Sequence, residues 1–328
     1  MENKFKKAFD LVKRAKNVLL VCHYDPDGDA LSSVCALGLA LEKLGIKNDF
    51  FCYNKYPSQY YFLPGIEKFK YLLDERMNPS GFNLDFDQYD LIIVCDCGSL
   101  DRTQLAKQIS SRSQNQRIIE FDHHLKVDDY SDLELRNERA AATTEVIYDF
   151  LRANKIKIDN KIAECILTGL VTDTGTFLHG STSDKVIKIS SEMLEKGANL
   201  NRIIDNTWRN KSLRNLKIWG KVMERLQINL RYNLAFTFLT HEDIKKDNIS
   251  KGEMDGLAGF LGNLQGVNAL MFLREEEKGV IKGSLRSSKD FDVSRLANAL
   301  GGGGHKRASG FSVKGKLTFD AQEGLFIQ

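Results

Sequence analysis

The stretch NVLLVCHYDPDGD, residues 17–29, changes character halfway along. Residues 17–22 form a short apolar run, the pattern of a strand buried on both faces. His23, Asp25, Asp27 and Asp29 follow at once, with Pro26 and Gly28 among them. Carboxylates this close make one another harder to ionise unless a countercharge is near. Asp, Pro and Gly are also turn residues, and taken alone the stretch reads as a turn. A calcium loop of the EF-hand kind is excluded. Its sixth and twelfth positions need Gly and Glu, and here they hold Ala30 and Ala36.

The pattern repeats downstream. Residues 30–44 space Leu31, Val34, Cys35, Leu37, Leu41 and Leu44 at helical intervals and stop at Gly45. Strands are predicted over 46–53, 89–95 and 117–121, and helices over 141–152 and 160–171. Strands alternating with helices predict an α/β fold, a mostly parallel β-sheet flanked by helices. The strand 17–22 ends in His23 and the aspartates, 89–95 ends in Asp96, and 117–121 ends in Asp122, His123 and His124. Open α/β sheets hold ligands beyond the carboxyl ends of their strands, so three strand ends deliver acids and imidazoles to one edge. Asp173 closes another apolar helical segment and adds a carboxylate. A pair of divalent ions would relieve the repulsion, with neutral imidazoles as co-ligands suited to manganese, iron or zinc.

The rest of the chain has a different texture. Residues 182–196 read as an amphipathic helix closed by Gly197. Residues 213–226 are predicted to form another, with Leu216, Trp219, Val222, Met223 and Leu226 on one side. Its other side carries Arg214, Lys217, Lys221 and Arg225, a solvated face. Beyond it, residues 234–239 alternate as a strand. Residues 269–274 and 280–286 flank Glu275-Glu276-Glu277-Lys278-Gly279 as a hairpin. This predicts a first domain over 1–208, a linker helix over 209–226 and a smaller α+β domain over 227–328, with an active-site cleft between the two domains. The run Gly301-Gly302-Gly303-Gly304 offers backbone N–H groups unobstructed by side chains. His305, Lys306 and Arg307 follow it, and Arg286 comes from a predicted strand. A glycine nest beside an arginine fork and an imidazole suits a terminal phosphate. Arg286, His305, Gly303 and Gly304 are the candidate substrate anchors, with Ser284 and Ser287 beside them.

Composition sets the bounds. The 328 residues suffice for two domains, and 42% hydrophobic with 28% charged residues is the balance of a soluble globular protein. A net charge of +3 lacks the footprint of a binder of long duplex DNA, yet leaves room for small anionic substrates. Residues 1–16 are charged and amphipathic, without the apolar centre of a signal peptide. No apolar run is long enough to span a membrane. Six scattered cysteines read as buried thiols of a reducing compartment. The expectation is a cytoplasmic protein with no membrane partner. His179 and His241 belong to no motif and are read as core or surface residues.

Together, His23 to Asp29 as HxxxDGD, Asp96 after an apolar strand, Asp122-His123-His124 and Asp173 in a TDTG segment resemble the DHH phosphoesterase family. Gly301 to His305, preceded by Gly283-Ser284-Leu285-Arg286-Ser287, is similar to the DHH-associated domain of that family, so the resemblance spans essentially the whole chain. It implies two divalent metal ions, foremost manganese. His23, Asp27 and Asp96 would hold one, and Asp29, Asp96, His123 and Asp173 the other, with Asp96 shared. It further implies that Asp122 orients the histidines beside it and that His124 faces the scissile phosphate. Ser32-Ser33 stands where a Gly-Ser pair is usual, which bears on loop shape.

In length and domain pairing the chain resembles a stand-alone branch of the family that degrades short oligoribonucleotides exonucleolytically to mononucleotides and dephosphorylates 3′-phosphoadenosine-5′-phosphate, and this is the expected activity. The expected partners are therefore short single-stranded RNA or DNA and small phosphorylated nucleotides, and the resemblance admits a homodimer. Two alternatives stand beside this one. The first is a phosphodiesterase of cyclic or linear dinucleotides. The second is a non-catalytic nucleotide- or RNA-binding protein on the same scaffold.

Overall fold

The apolar run of the opening motif is strand β1 (Val18–Cys22), all five residues buried. The computed structural model describes residues 1–74, 78–249, 251–254, 256–276, 279–287, 291–320 and 324–327. Strand β1 joins β2 (Asn48–Asn54), β3 (Phe69–Leu73), β4 (Leu91–Cys95), β5 (Arg117–Asp122) and β6 (Leu133–Arg136) in a six-stranded sheet of order β3-β2-β1-β4-β5-β6. Every pairing in it is parallel. Among the described residues, seven α-helices complete the first compact unit, Met1–Asn210. They are α1 (Glu2–Arg14), α2 (Gly28–Lys43), α3 (Ala106–Ser110), α4 (Thr143–Ala153), α5 (Asn160–Asp173), α6 (Asp184–Glu195) and α7 (Leu200–Thr207).

The chain lays strands outward from β1 to β3, then returns to the other side of β1 with β4. That reversal puts the topological switch point at the carboxyl ends of β1 and β4. Leu19 and Val21 enter one apolar cluster with Ile92, Val94 and Ile118. Val18, Leu20 and Cys22 enter another on the opposite face, with Ile93, Ile119, Phe121, and Leu31 and Ile166 from the helices. Burial on both faces explains why these strands read as unbroken apolar runs.

Two glycines let the helices meet closely. A Cβ on Gly28 would stand 2.5 Å from Thr172 Oγ1, and one on Gly169 would stand 2.5 Å from Asp29 Oδ1 and 2.4 Å from Thr144 Oγ1. All six cysteines are free and buried, as expected. Among the described residues, no helix is long and apolar enough to cross a membrane.

The second unit, Lys211–Gln328, starts with α8 (Leu213–Glu224). It continues through β7 (Gln227–Asn229), β8 (Leu234–Leu239), α9 (His241–Lys246), α10 (Leu257–Leu261), β9 (Ala269–Glu276), β10 (Val280–Arg286), α11 (Val293–Ala299), β11 (Gly303–His305) and β12 (Ala308–Lys314). Its sheet has the order β11-β12-β10-β9-β8-β7, antiparallel but for the parallel pair of β8 and β9. Strands β13 (Leu317–Asp320) and β14 (Gly324–Ile327) form a separate antiparallel pair.

The helix read as a linker packs into this unit instead. Ile218, Trp219 and Val222 share a core with Ala235, Leu239, Leu257 and Phe272. Leu216 and Met223, assigned to its apolar side, are exposed, and Ile218 takes the inward place. Three cations of its basic side are paired: Arg214 with Glu253, Lys221 with Asp243 at 2.6 Å, and Arg225 with Asp243. The hairpin of β9 and β10 forms as expected. Of its predicted turn, Glu277 and Lys278 lie outside the described residues.

Candidate metal centre

Each carboxylate and imidazole reaches the switch point by a short local device. Asp27 caps α2, its Oδ1 accepting the Ala30 N–H at 3.0 Å. Asp96, the residue after β4, stands in the left-handed region at φ +61°, and Asp25 at φ +51°. Such a backbone costs a non-glycine residue about 1–3 kcal/mol and persists where the surroundings demand it. Asp122 closes β5, and Asp173 closes α5.

These devices produce three overlapping clusters: His23, Asp27 and Asp96; Asp29, His123 and Asp173; and Asp96, His123 and His124. Within each, one ligand atom per residue lies within 4.8 Å of the others. Asp96 joins two of them through different oxygens. Its Oδ2 is 4.0 Å from His23 Nε2, and its Oδ1 is 3.5 Å from His123 Nε2. Asp173 Oδ2 is also 3.5 Å from His123 Nε2.

The imidazoles are turned to offer lone pairs. His23 Nδ1 lies 2.7 Å from the Tyr24 carbonyl oxygen. A carbonyl only accepts, so Nδ1 carries the proton and Nε2 the lone pair. That Nε2 is buried without a hydrogen-bond partner among the described residues, 3.7 Å from Asp27 Oδ2. His123 repeats the arrangement, with Nδ1 3.3 Å from the Ala140 carbonyl oxygen. At 3.7 and 4.0 Å from the carboxylate oxygens of Asp27 and Asp96, His23 Nε2 is too far away to hydrogen-bond with them. These atoms are close enough to touch one cation, whose bonds to such donors run about 2.0–2.2 Å. The residues therefore fit divalent metal ions.

Electrostatics agree. Burial pushes the Asp96 carboxyl well above the usual range, and the charges of Asp29, Asp27, Asp122 and Asp173 push the same way. Burial likewise raises Asp29. Burial opposes the charged form of His123, yet Asp173, Asp29 and Asp122 outweigh it and raise the imidazole. The site attracts positive charge.

The threonines that open α4 were missed by sequence reasoning. Asp29 Oδ2 accepts the Thr143 N–H at 2.5 Å, and its Oδ1 accepts the N–H and hydroxyl of Thr144 at 3.1 and 2.8 Å. The Thr143 hydroxyl donates to Asp96 Oδ1 at 2.7 Å. Small residues before a helix with Thr-Thr at its start were a capping signal, but nothing local named their acceptors.

Asp122 serves His124. Its Oδ1 accepts the His124 backbone N–H at 2.8 Å and lies 2.8 Å from Nδ1, while its Oδ2 accepts the Gly98 N–H at 2.6 Å. Behind it, buried Arg136 donates to the His124 carbonyl at 2.7 Å and pairs with Glu120 at 2.5 Å. Burial pushes His124 below its usual range; the positive charge of Arg102 and the His123 ring act the same way, against Asp122. His179, set aside in the sequence, brings Nδ1 to 3.1 Å from the Asp173 carbonyl oxygen.

In the second unit, strand register sets Arg286 on β10 and His305 on β11 opposite the same residue, Ala308 of β12. Ser284 and Gly303 likewise share Gly310 as partner. Gly304 has φ +134°, and a Cβ there would stand 2.7 Å from the Ala308 carbonyl oxygen, so close packing of β11 on β12 already demands glycine. Beyond Gly303 the space is open, with Asn298 Oδ1 at 3.7 Å. Arg286 Nη1 donates to its own neighbour's carbonyl, that of Leu285, at 2.9 Å. Ser287 is buried, and its hydroxyl donates to the Asn268 carbonyl at 3.1 Å.

Comparison with known proteins agrees with this layout. Residues 17–170 match the DHH family, N-terminal domain, and residues 232–323 match the DHHA1 domain. The bifunctional oligoribonuclease and PAP phosphatase NrnA of Bacillus subtilis (strain 168) is 29% identical over 305 residues, covering 90% of this chain and 89% of that protein. The protein of the same name from Thermus thermophilus is 28% identical, covering 91% of this chain and 84% of that one. An exopolyphosphatase-related protein from Bacteroides fragilis has a crystal structure that superposes with a TM-score of 0.83 at 27% identity, over 95% of this chain and 91% of that one. With an N-terminal DHH domain followed by a DHHA1 domain, the chain belongs to the DHH family.

Proposed function

We propose that this DHH-family hydrolase is a phosphoesterase dependent on two divalent metal ions, foremost manganese. It degrades short oligoribonucleotides from an end to mononucleotides and dephosphorylates 3′-phosphoadenosine-5′-phosphate. The observation that carries the reading is the donor set: His23 and His123 stand among four carboxylates, His23 Nε2 is buried without a hydrogen-bond partner among the described residues, and burial together with neighbouring carboxylates raises Asp96 and Asp29. His23, Asp27 and Asp96 would hold one ion, and Asp96, Asp29, His123 and Asp173 the other. When bound, such a pair supplies positive charge at the phosphoryl oxygens and lowers the pKa of an attacking water.

The chain's own residues do the rest. Hydrolysis forms one bond from water oxygen to phosphorus, breaks one ester P–O bond, and delivers a proton to the departing oxygen. Asp122 holds Nδ1–H of His124, so the proton that His124 exchanges is at Nε2. Burial, the His123 ring and Arg102 lower the pKa of this ring against the pull of Asp122, so a proton carried at Nε2 is readily given to the departing oxygen. Thr143 and Thr144 fix Asp96 and Asp29 against the repulsion of their neighbours. The names of the relatives matched over about nine-tenths of this chain support the substrate class. In the DHHA1 domain, Arg286, Gly303, Gly304 and His305 would grip a terminal phosphate, with Ser284 near. Ser287 would stand beside them, its hydroxyl donating to the Asn268 carbonyl. Action on small cytoplasmic nucleotides accords with the buried thiols.

The test is turnover of the purified protein with manganese, magnesium or cobalt on three substrates in parallel: a diribonucleotide, 3′-phosphoadenosine-5′-phosphate and cyclic di-AMP. The expected products are mononucleotides from the first, and AMP with phosphate from the second. Turnover of the cyclic substrate alone would select the cyclic-dinucleotide alternative, and no turnover with any metal would end the phosphoesterase reading.

A further inference from the structure

The loop after Asp96 holds a cation that the assignments above leave unused. Arg102 lies in a 3₁₀ turn, Leu100–Thr103, and is half-buried. Its backbone is tied to the opening motif, since its carbonyl accepts the Tyr24 N–H at 2.8 Å. Its side chain reaches back over Gly98. A Cβ built on Gly98 would stand 3.4 Å from Arg102 Nη1 and 3.4 Å from His124 Cγ, so the missing side chain is the space on which the guanidinium and the imidazole converge. Gly98 is held in place by its N–H bond to Asp122 and by φ +68°.

The charge of Arg102 is felt at Asp27 and at His124. Yet its guanidinium makes no hydrogen bond or ion pair with any described residue. An arginine set beside a ring of aspartates would ordinarily be drawn into a bidentate pair with one of them. Here the turn that carries it holds it back, on the His124 side. The five donors of the fork therefore remain for an anion that enters with the substrate. A phosphoryl group fits that vacancy chemically: its oxygens gain negative charge during displacement, and a guanidinium matches two of them at once.

We propose that Arg102 binds the phosphoryl group undergoing hydrolysis, its guanidinium donating to non-bridging oxygens on the side of the site where His124 stands. The proposal rests on the phosphoesterase reading for its kinetic consequence but not for its binding consequence. The experiment therefore has two arms, run on the full chain and on Arg102→Gln and Arg102→Ala. In the first, inorganic phosphate is titrated by calorimetry into manganese-loaded protein, after manganese affinity and the far-UV melt have been measured for each variant. The expected result is unchanged manganese affinity with phosphate binding weakened about 10- to 100-fold, the loss of one charge-assisted fork.

In the second arm, steady-state hydrolysis of a diribonucleotide is expected to lose about 10²- to 10³-fold in kcat, as when one donor to a developing anion is removed. KM should change less, and added guanidinium ion should restore part of kcat in Arg102→Ala. Phosphate affinity equal to wild type in both variants overturns the proposal, as does a loss matched by an equal loss of manganese affinity. If wild-type protein hydrolyses nothing, the phosphoesterase reading falls by itself and the phosphate titration alone decides on Arg102. Should Arg102→Ala unfold, the near-isosteric Arg102→Gln carries both arms.

Discussion

Asp96 concentrates the physics of the site. It is buried, stands in a left-handed backbone, and faces imidazoles on both sides with two different oxygens. Without a cation its carboxyl is raised, foremost by burial and then by the charges of Asp29, Asp27, Asp122 and Asp173. The folded protein thus retains a proton that the unfolded chain has already released, and stability falls as pH rises from the ordinary carboxylate range toward neutrality. Metal-free protein is therefore expected to melt at higher temperature in mildly acidic than in neutral buffer. Saturating manganese should reverse the trend, because the ion competes with protons and stabilises by about 2.7 kcal/mol at a hundred times its Kd. Asp96→Asn should abolish manganese-dependent turnover. It should also raise the neutral-pH melting temperature of the metal-free protein by about 2–4 °C, the equivalent of about 1 kcal/mol in a domain of this size. Scanning calorimetry across pH, with and without manganese, checks both; a metal-free protein that loses stability on mild acidification would contradict the assignment.

At the level of elements, the centre depends on how closely α5 approaches the starts of α2 and α4. Gly169 is the point of contact, with room for neither Asp29 Oδ1 nor Thr144 Oγ1 if a methyl were added. Gly169→Ala is expected to cost about 1–3 kcal/mol of stability through overpacking. It should also weaken manganese binding about 10- to 100-fold, since the hydrogen bonds that orient Asp29 are displaced. Equal manganese affinity in the folded variant would show that this contact does not govern the site. The elements that carry the motif were legible because β1, β4 and β5 are buried on both faces and leave unbroken apolar runs. The six candidate ligands were legible because they end those runs or close α5. Thr143 and Thr144 were not, because a hydroxyl pair at a helix start caps backbone in any protein, and its partner Asp29 lies 114 residues from Thr143. Arg102 and Arg136 look like ordinary polar residues until folding sets one over Gly98 and the other behind Asp122. The inward face of α8 was read in part: Trp219, Val222 and Leu226 pack on the core as expected, while Ile218 joins them and Leu216 and Met223 stay exposed.

On the scale of the whole chain, each unit carries its own apolar cores, and every candidate metal ligand belongs to the first. A fragment of residues 1–210 is therefore expected to unfold cooperatively and to bind manganese much as the full chain does. It would lack the candidate phosphate anchors on β10 and β11. Its kcat/KM on a diribonucleotide should fall by about 10- to 150-fold, the equivalent of about 1.5–3 kcal/mol for one lost hydrogen bond to a charged group. Calorimetric melts, metal titration and kinetics on the fragment test the division; a fragment with undiminished kcat/KM would leave the second unit without a role in catalysis. The cysteines follow the same partition, all six within residues 22–165 and sealed from solvent. Alkylation by a thiol reagent is thus a clock that runs only while the DHH domain is open. Because the other domain has no sulfhydryl to modify, the mass gained with time reads the breathing of one half of the molecule with the other half silent.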